Sequence, residues 1–299
     1  SRLVGRDPAL IRPWIETGLA HAERALALDA NNTMALELRG TMRFFSHIQG
    51  LENDPARRTQ LLPGAVADLE RATTLNGAQA SAYATLAAVY GATPGKTPDD
   101  VYLAARRAYE ADEFLANANI VLGRLFNATY DLGQGSSAQS YCNDLRTRFR
   151  NDVRAWRCQL YLMTMPNVVE PNVALAWQLA DSALARTPAG DVPLAKLTYA
   201  NIVAAVIARA AAQDSSLADS ARRVVQRSQG DGTIDKPREL AMYGAVAMTI
   251  LGDGDAAIRY LTSYLSGSPQ AAAGLRDDPG WWFRPLANRP DWNRLVSRQ

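Results

Sequence analysis

Two cysteines and a set of arginines and tyrosines are where this 299-residue sequence most plainly offers chemistry. Cys142 and Cys158 are its only thiols. Both fall several residues from a turn expected near Arg150-Asn151, on helices that would run antiparallel. If both face the shared seam they can form a disulfide, which implies an oxidising compartment. If they do not, they are buried thiols that behave as small apolar residues. Arg124, Asn127, Arg154, Arg157, Tyr161 and Tyr199 fall at helical positions that packing does not require. Guanidinium groups beside a phenol suit an acidic peptide, a carboxylate or a phosphate. An ordinary solvated helix face would carry the same residue types.

A third stretch, Gln229-Gly230-Asp231-Gly232-Thr233-Ile234-Asp235, resembles the middle of a calcium-binding EF-hand loop. Such a loop needs oxygen ligands at its first, third and twelfth positions. Those places hold Arg227, Gln229 and Arg238, and two guanidinium groups would repel the ion. The stretch therefore reads as a polar loop between helices, without metal. His21 and His47 stand in different segments, without a convincing nucleophile or ligand beside either. The sequence has no Gly-rich phosphate loop, no paired His–Glu and no clustered Cys spacing. It predicts a non-catalytic chain with no cofactor and no metal.

The elements that must position these residues show in the apolar spacing. Between Ala80 and Phe126 the chain runs Tyr83-x2-Leu86-Ala87-x2-Tyr90, then Val101-x3-Ala105-x2-Ala108, then Leu122-Gly123-x2-Phe126. Each set lies on one face of a helix, and its small residues let the next helix approach closely. The same alternation appears in Gly18-x3-Ala22-x2-Ala25-Leu26, Ala65-x3-Leu69-x2-Ala72, Ala138-x3-Cys142-x2-Leu145 and Ala176-x3-Ala180-x2-Ala183. Residues 8–29 predict a first helix, and Leu194–Ala212 a long buried one. The last hairpin turns at Gly252-Asp253-Gly254-Asp255. Interruptions at 46–60, 91–100, 127–136 and 164–172 are expected between the two helices of a pair, which would line one rim with loops.

The totals fit such a chain. Apolar residues make up 47% of it and supply a packed core, while a net charge of +2 with both signs interspersed argues against a dedicated nucleic-acid surface. Only Lys96, Lys196 and Lys236 are lysines among 32 basic residues, a bias that fits a GC-rich bacterial genome. The most apolar uncharged runs, Leu197–Ala208 and Leu240–Gly252, fall short of the ~18 residues that span a bilayer, so no membrane span is expected within the chain. A start at Ser1 rather than Met suggests a fragment or a processed product.

Over about residues 16–266 these motifs resemble the tetratricopeptide-repeat family, whose unit is a two-helix hairpin of about 34 residues. The closing Asp278-Pro279-Gly280-Trp281-Trp282-Phe283-Arg284-Pro285-Leu286 and the earlier Ala20-His21-Ala22-Glu23-Arg24-Ala25-Leu26-Ala27-Leu28-Asp29 resemble something narrower. They look like the C-terminal repeat region of bacterial membrane-anchored serine/threonine protein kinases. No kinase motif occurs here, so the resemblance implies the non-catalytic sensor or interaction part, with a membrane-anchored parent and an extracytoplasmic location.

The resulting expectation is an all-α superhelix of about six tetratricopeptide-like hairpins over residues 1–275, irregular around 190–235, closed by an aromatic capping segment over 276–299. Its function would be to hold a peptide or protein segment in a concave groove, with no nucleic-acid partner. Trp281 and Trp282 would either fold over the last hairpin or stand out as a partner-docking pair. In the latter case the chain would be an assembly subunit that contacts a larger complex through its loop rim and Trp-rich tail.

Overall fold

The computed structural model describes residues 8–230 and 232–297. Ser1, and Asp231 of the EF-hand-like loop, lie outside the described residues. Among those residues the fold is all-α, without a strand. The chain forms two compact units, Ser1–Ala128 and Thr129–Gln299, each a run of helices packed against their neighbours in sequence.

The first unit contains α1 (Pro8–Leu28), α2 (Thr33–Ile48), α3 (Pro55–Leu75), α4 (Ala80–Tyr90), α5 (Pro98–Ala111) and most of α6 (Ala118–Asp131). Local chemistry sets where these helices start. Asn32 accepts from the Ala35 amide at 3.0 Å to cap α2. Asp54 accepts from Ala56 N with Pro55 in the first turn of α3. Thr97 and Asp100 form a reciprocal capping box ahead of α5. The small residues of the spacing motif are the buried ones: Ala65, Ala72, Ala87, Ala105 and Ala108 have no exposed surface. Gly40 sets how closely α2 and α3 approach, since a Cβ there would lie 2.8 Å from Leu69 Cγ. Beside it the buried Asp68 carboxylate accepts from Arg39 at 2.6 and 2.9 Å and from Arg43 at 2.6 Å, joining α2 to α3.

The second unit begins at the end of α6. It continues through α7 (Gly135–Arg148), α8 (Val153–Leu162), α9 (Val173–Leu184), α10 (Val192–Ala210), α11 (Ala218–Arg227), α12 (Glu239–Ile250) and α13 (Gly254–Gly267). The short α14 (Ala271–Asp277), α15 (Gly280–Phe283) and α16 (Pro290–Val296) complete it. One apolar cluster joins α8 to α11 through Leu160, Leu179, Ile202, Val206 and Ala221. A second buries Phe283, Leu286, Trp292 and Val296 of the tail with Ala245 and Leu261 of α12 and α13.

Several boundaries differ from the sequence expectation. Most of 46–60 is helical: α2 runs to Ile48 and α3 starts at Pro55, ten residues before its apolar spacing becomes regular. The Asp54 cap and Pro55 start that helix without an apolar face, and it continues through Pro63. The 127–136 interruption shrinks to residues 132–134, because α6 extends to Asp131 with Thr129 and Tyr130 buried. In the expected capping segment, 276–299, Phe283, Leu286, Trp292 and Val296 are buried with residues of α12 and α13. Ala189–Ala210 is, by length and composition alone, apolar enough to cross a membrane, although the sequence expectation was a long buried helix over Leu194–Ala212 and no membrane span. Counting uncharged runs missed it because Asp191, Lys196 and Arg209 interrupt them. Ile202, Val203, Val206 and Ile207 of this helix are core residues of the second unit.

Candidate binding cleft

The second unit holds an open cleft of about 610 Å³ between α8, the start of α10 and the start of α12. Arg157 and Tyr161 contribute from α8, Thr198 and Tyr199 from α10, and Glu239 and Tyr243 from α12. Each wall has a local cause. Asp152 caps α8 by accepting from Arg154 N at 2.8 Å. Cys142 and Cys158 tie α8 to α7 as a disulfide, with sulfurs 1.99 Å and Cα atoms 5.6 Å apart. Beyond Pro188 a 3-10 turn, Ala189–Asp191, leads into α10 with Pro193 in its first turn. At α12 the buried Asp235 carboxylate accepts from Glu239 N at 2.9 Å and Leu240 N at 2.7 Å, taking the place of a cap at Arg238.

The floor is aromatic and donor-rich. The Tyr161 and Tyr243 hydroxyls meet at 3.1 Å, with ring centroids 6.5 Å apart and nearly perpendicular. Burial holds the Tyr161 phenol above its ordinary value, outweighing the opposing pull of Arg157. The neighbouring Tyr161 and, second, burial do the same to Tyr243. Both therefore stay neutral and able to donate. The Arg157 guanidinium lies 5.9 Å from the Tyr161 ring centroid, and among the described residues no carboxylate pairs with it. At the mouth, Glu239 is largely exposed; partial burial and then the charge of Asp235 raise its carboxyl. Half-buried cation, phenols and a carboxylate at the rim can hold a ligand that offers acceptors to the floor and a donor to the mouth.

Three of the six residues expected to bind come together here: Arg157, Tyr161 and Tyr199. Tyr199 differs from its expected role, because it is 6% exposed and packs in the α8–α11 core, so packing does require it. Arg154 is drawn to its own helix cap, 3.0 Å from Asp152, and does not line the cleft. Arg124 and Asn127 belong to the first unit, where Arg124 is half-buried and Asn127 exposed on α6. Trp281 and Trp282 turn inward: both are half-buried, and both rings lie against Tyr130, at 5.5 and 5.7 Å. That geometry is intramolecular and leaves only part of each indole for a partner. Tyr243 and Glu239 escaped the sequence reading although their four-residue spacing puts them on one helix face; the apolar run around them reads as core. In the EF-hand-like loop, Asp235 caps a helix. Among the described residues no group of three or more His, Cys, Asp or Glu is arranged to hold a metal.

No protein-family model matches the sequence, and comparison with curated proteins finds no match.

Proposed function

We propose that the chain is a non-catalytic binding module built of tetratricopeptide-like helical hairpins, and that it holds a peptide or protein segment in the α8–α10–α12 cleft. The repeat reading draws support from the order of packing. Helices pair in sequence, and alternate helices also meet: α2 with α4, α8 with α10, α10 with α12. The observation that carries the function is the half-buried Arg157 guanidinium. It has no carboxylate partner among the described residues and stands beside the Tyr161–Tyr243 hydroxyl pair in a cleft of peptide-accommodating size. The kinase-like resemblance suggests that this binding serves signalling, and the Cys142–Cys158 bond supports an extracytoplasmic, oxidising location. The assembly-subunit alternative draws less support, because the Trp281 and Trp282 rings are engaged within their own unit.

The test is to pan a displayed random-peptide library against the full chain and measure one recovered peptide, made synthetically, by fluorescence anisotropy. Arg157→Ala and Tyr243→Phe should each weaken it, the former by about tenfold or more, with helicity unchanged. Undiminished binding to Arg157→Ala would remove the cleft from the proposal. Recovery of no peptide would remove the peptide reading.

A further inference from the structure

A second cleft, of about 530 Å³, opens in the same unit where α7 gives way to α8. Asn143, Arg146, Thr147 and Arg150 form one wall, Ala155 and Trp156 the other. No carboxylate lines it. Asp152, the nearest acid at the turn, is occupied by Arg154 at 3.0 Å, and among the described residues neither the Arg146 nor the Arg150 guanidinium has an ion-pair partner. A third cation is close, since the Arg186 guanidinium stacks over the Trp156 ring at 4.4 Å. We propose that this cleft is a distinct binding site for a small phosphate-class oxyanion.

Three observations point the same way. Arg146 and Arg150 are four residues apart and share a wall, so two planar guanidinium forks can converge on one polyanion, the geometry that suits phosphate oxygens. The terminal dipole of α7 accounts for a cation in its last turn, such as Arg146. It does not account for Arg150, beyond the helix end; Arg186 follows α9 and donates to the Ser182 carbonyl at that helix's end, at 2.8 Å. The walls are also fixed in advance. The Trp156 indole donates to the Arg150 carbonyl at 2.9 Å. The Cys142–Cys158 bond lies beside Asn143 on one wall and two residues from Trp156 on the other. A site whose sides are already tied together loses little further entropy when an ion binds.

Isothermal titration of the full chain with sodium pyrophosphate at low salt tests this, because screening weakens such contacts. Saturable binding to a single site is expected. The double variant Arg146→Gln/Arg150→Gln, both exposed positions, should lose about tenfold or more of the affinity. Arg106→Gln/Arg107→Gln, two exposed arginines on α5 that pair with Glu110, should leave it unchanged. Absence of saturable heat with the native chain would overturn the proposal. Retained affinity in the Arg146/Arg150 variant, or an equal loss in the Arg106/Arg107 control, would overturn it as well.

Discussion

The indole nitrogen of Trp281 donates to the backbone carbonyl of Tyr130 at 2.8 Å, across 151 positions of sequence. This bond joins the last aromatic segment of the chain to the helix that opens the second unit. Around it Tyr130 meets Trp281, Trp282 and Tyr161 at ring-centroid distances of 5.5, 5.7 and 5.2 Å. The Tyr130 hydroxyl is hydrogen-bonded to Thr164 at 2.6 Å. The tail is therefore part of the unit's core, and it supports the same α8 that carries Arg157 and Tyr161.

Removing that anchor should cost stability. Trp281→Ala loses the ring and the hydrogen bond, about 3 kcal/mol, whereas Trp281→Phe keeps the apolar body and costs about 1 kcal/mol. Gly133 sits opposite with φ of 71°, and a Cβ there would lie 3.4 Å from Trp281. Gly133→Ala should therefore cost roughly 1 kcal/mol through the left-handed backbone. Urea unfolding followed by tryptophan fluorescence reads all three, and an unchanged midpoint for Trp281→Ala would contradict the anchor.

In the first unit, Asp68→Asn removes the charge shared by Arg39 and Arg43. Both arginines are partly solvated, with 24% and 30% of their side chains exposed, so the low end of the cost of breaking a buried pair applies, about 3 kcal/mol. The midpoint of chemical unfolding should fall accordingly. A variant as stable as the native chain would show that the network contributes specificity alone.

Stability should also depend on pH through Asp131. Burial raises its carboxyl to about 7 in the folded chain, against an ordinary value of about 4. Between those values the folded state holds a proton that the unfolded state has released, so stability falls as pH rises from about 4 to about 7 and levels off above. Asp131→Asn should flatten that slope and raise stability at neutral pH. Equal slopes for the two proteins in urea titrations across that range would refute the assignment.

Reduction of Cys142–Cys158 opens a loop of 16 residues and should cost about 3 kcal/mol by chain entropy. Thermal unfolding with and without reductant, compared with a Cys142→Ser/Cys158→Ser variant, measures it. If reductant lowers the midpoint of the native chain but not of the variant, the effect belongs to this bond.

Much of the helical architecture could be read directly from the sequence. Small residues every three or four positions, such as Ala105 and Ala108, or Ala65 and Ala72 on either side of Leu69, become fully buried because close helix packing needs a short side chain at the contact. That signal is local, and it weakens where a helix starts on a cap rather than an apolar face, as α3 does at Asp54-Pro55. The candidate site was legible only in part. Arg157 and Tyr161 stand out as polar residues on an otherwise packed helix, but Tyr243 and Glu239 look like the edge of a core run.

By itself, the sequence determined that this protein is all-α, with small-residue seams between helices and two cysteines astride one turn. Periodicity and propensity act within a few residues, and those features need nothing longer. Only the tertiary structure decided that Trp281 turns inward to Tyr130, that Tyr199 is core, and that Tyr161 and Tyr243 meet hydroxyl to hydroxyl. Those contacts join side chains 151 and 82 positions apart. They depend on how several helices pack at once, because no local pattern encodes the direction a side chain takes once its neighbours have filled the remaining space.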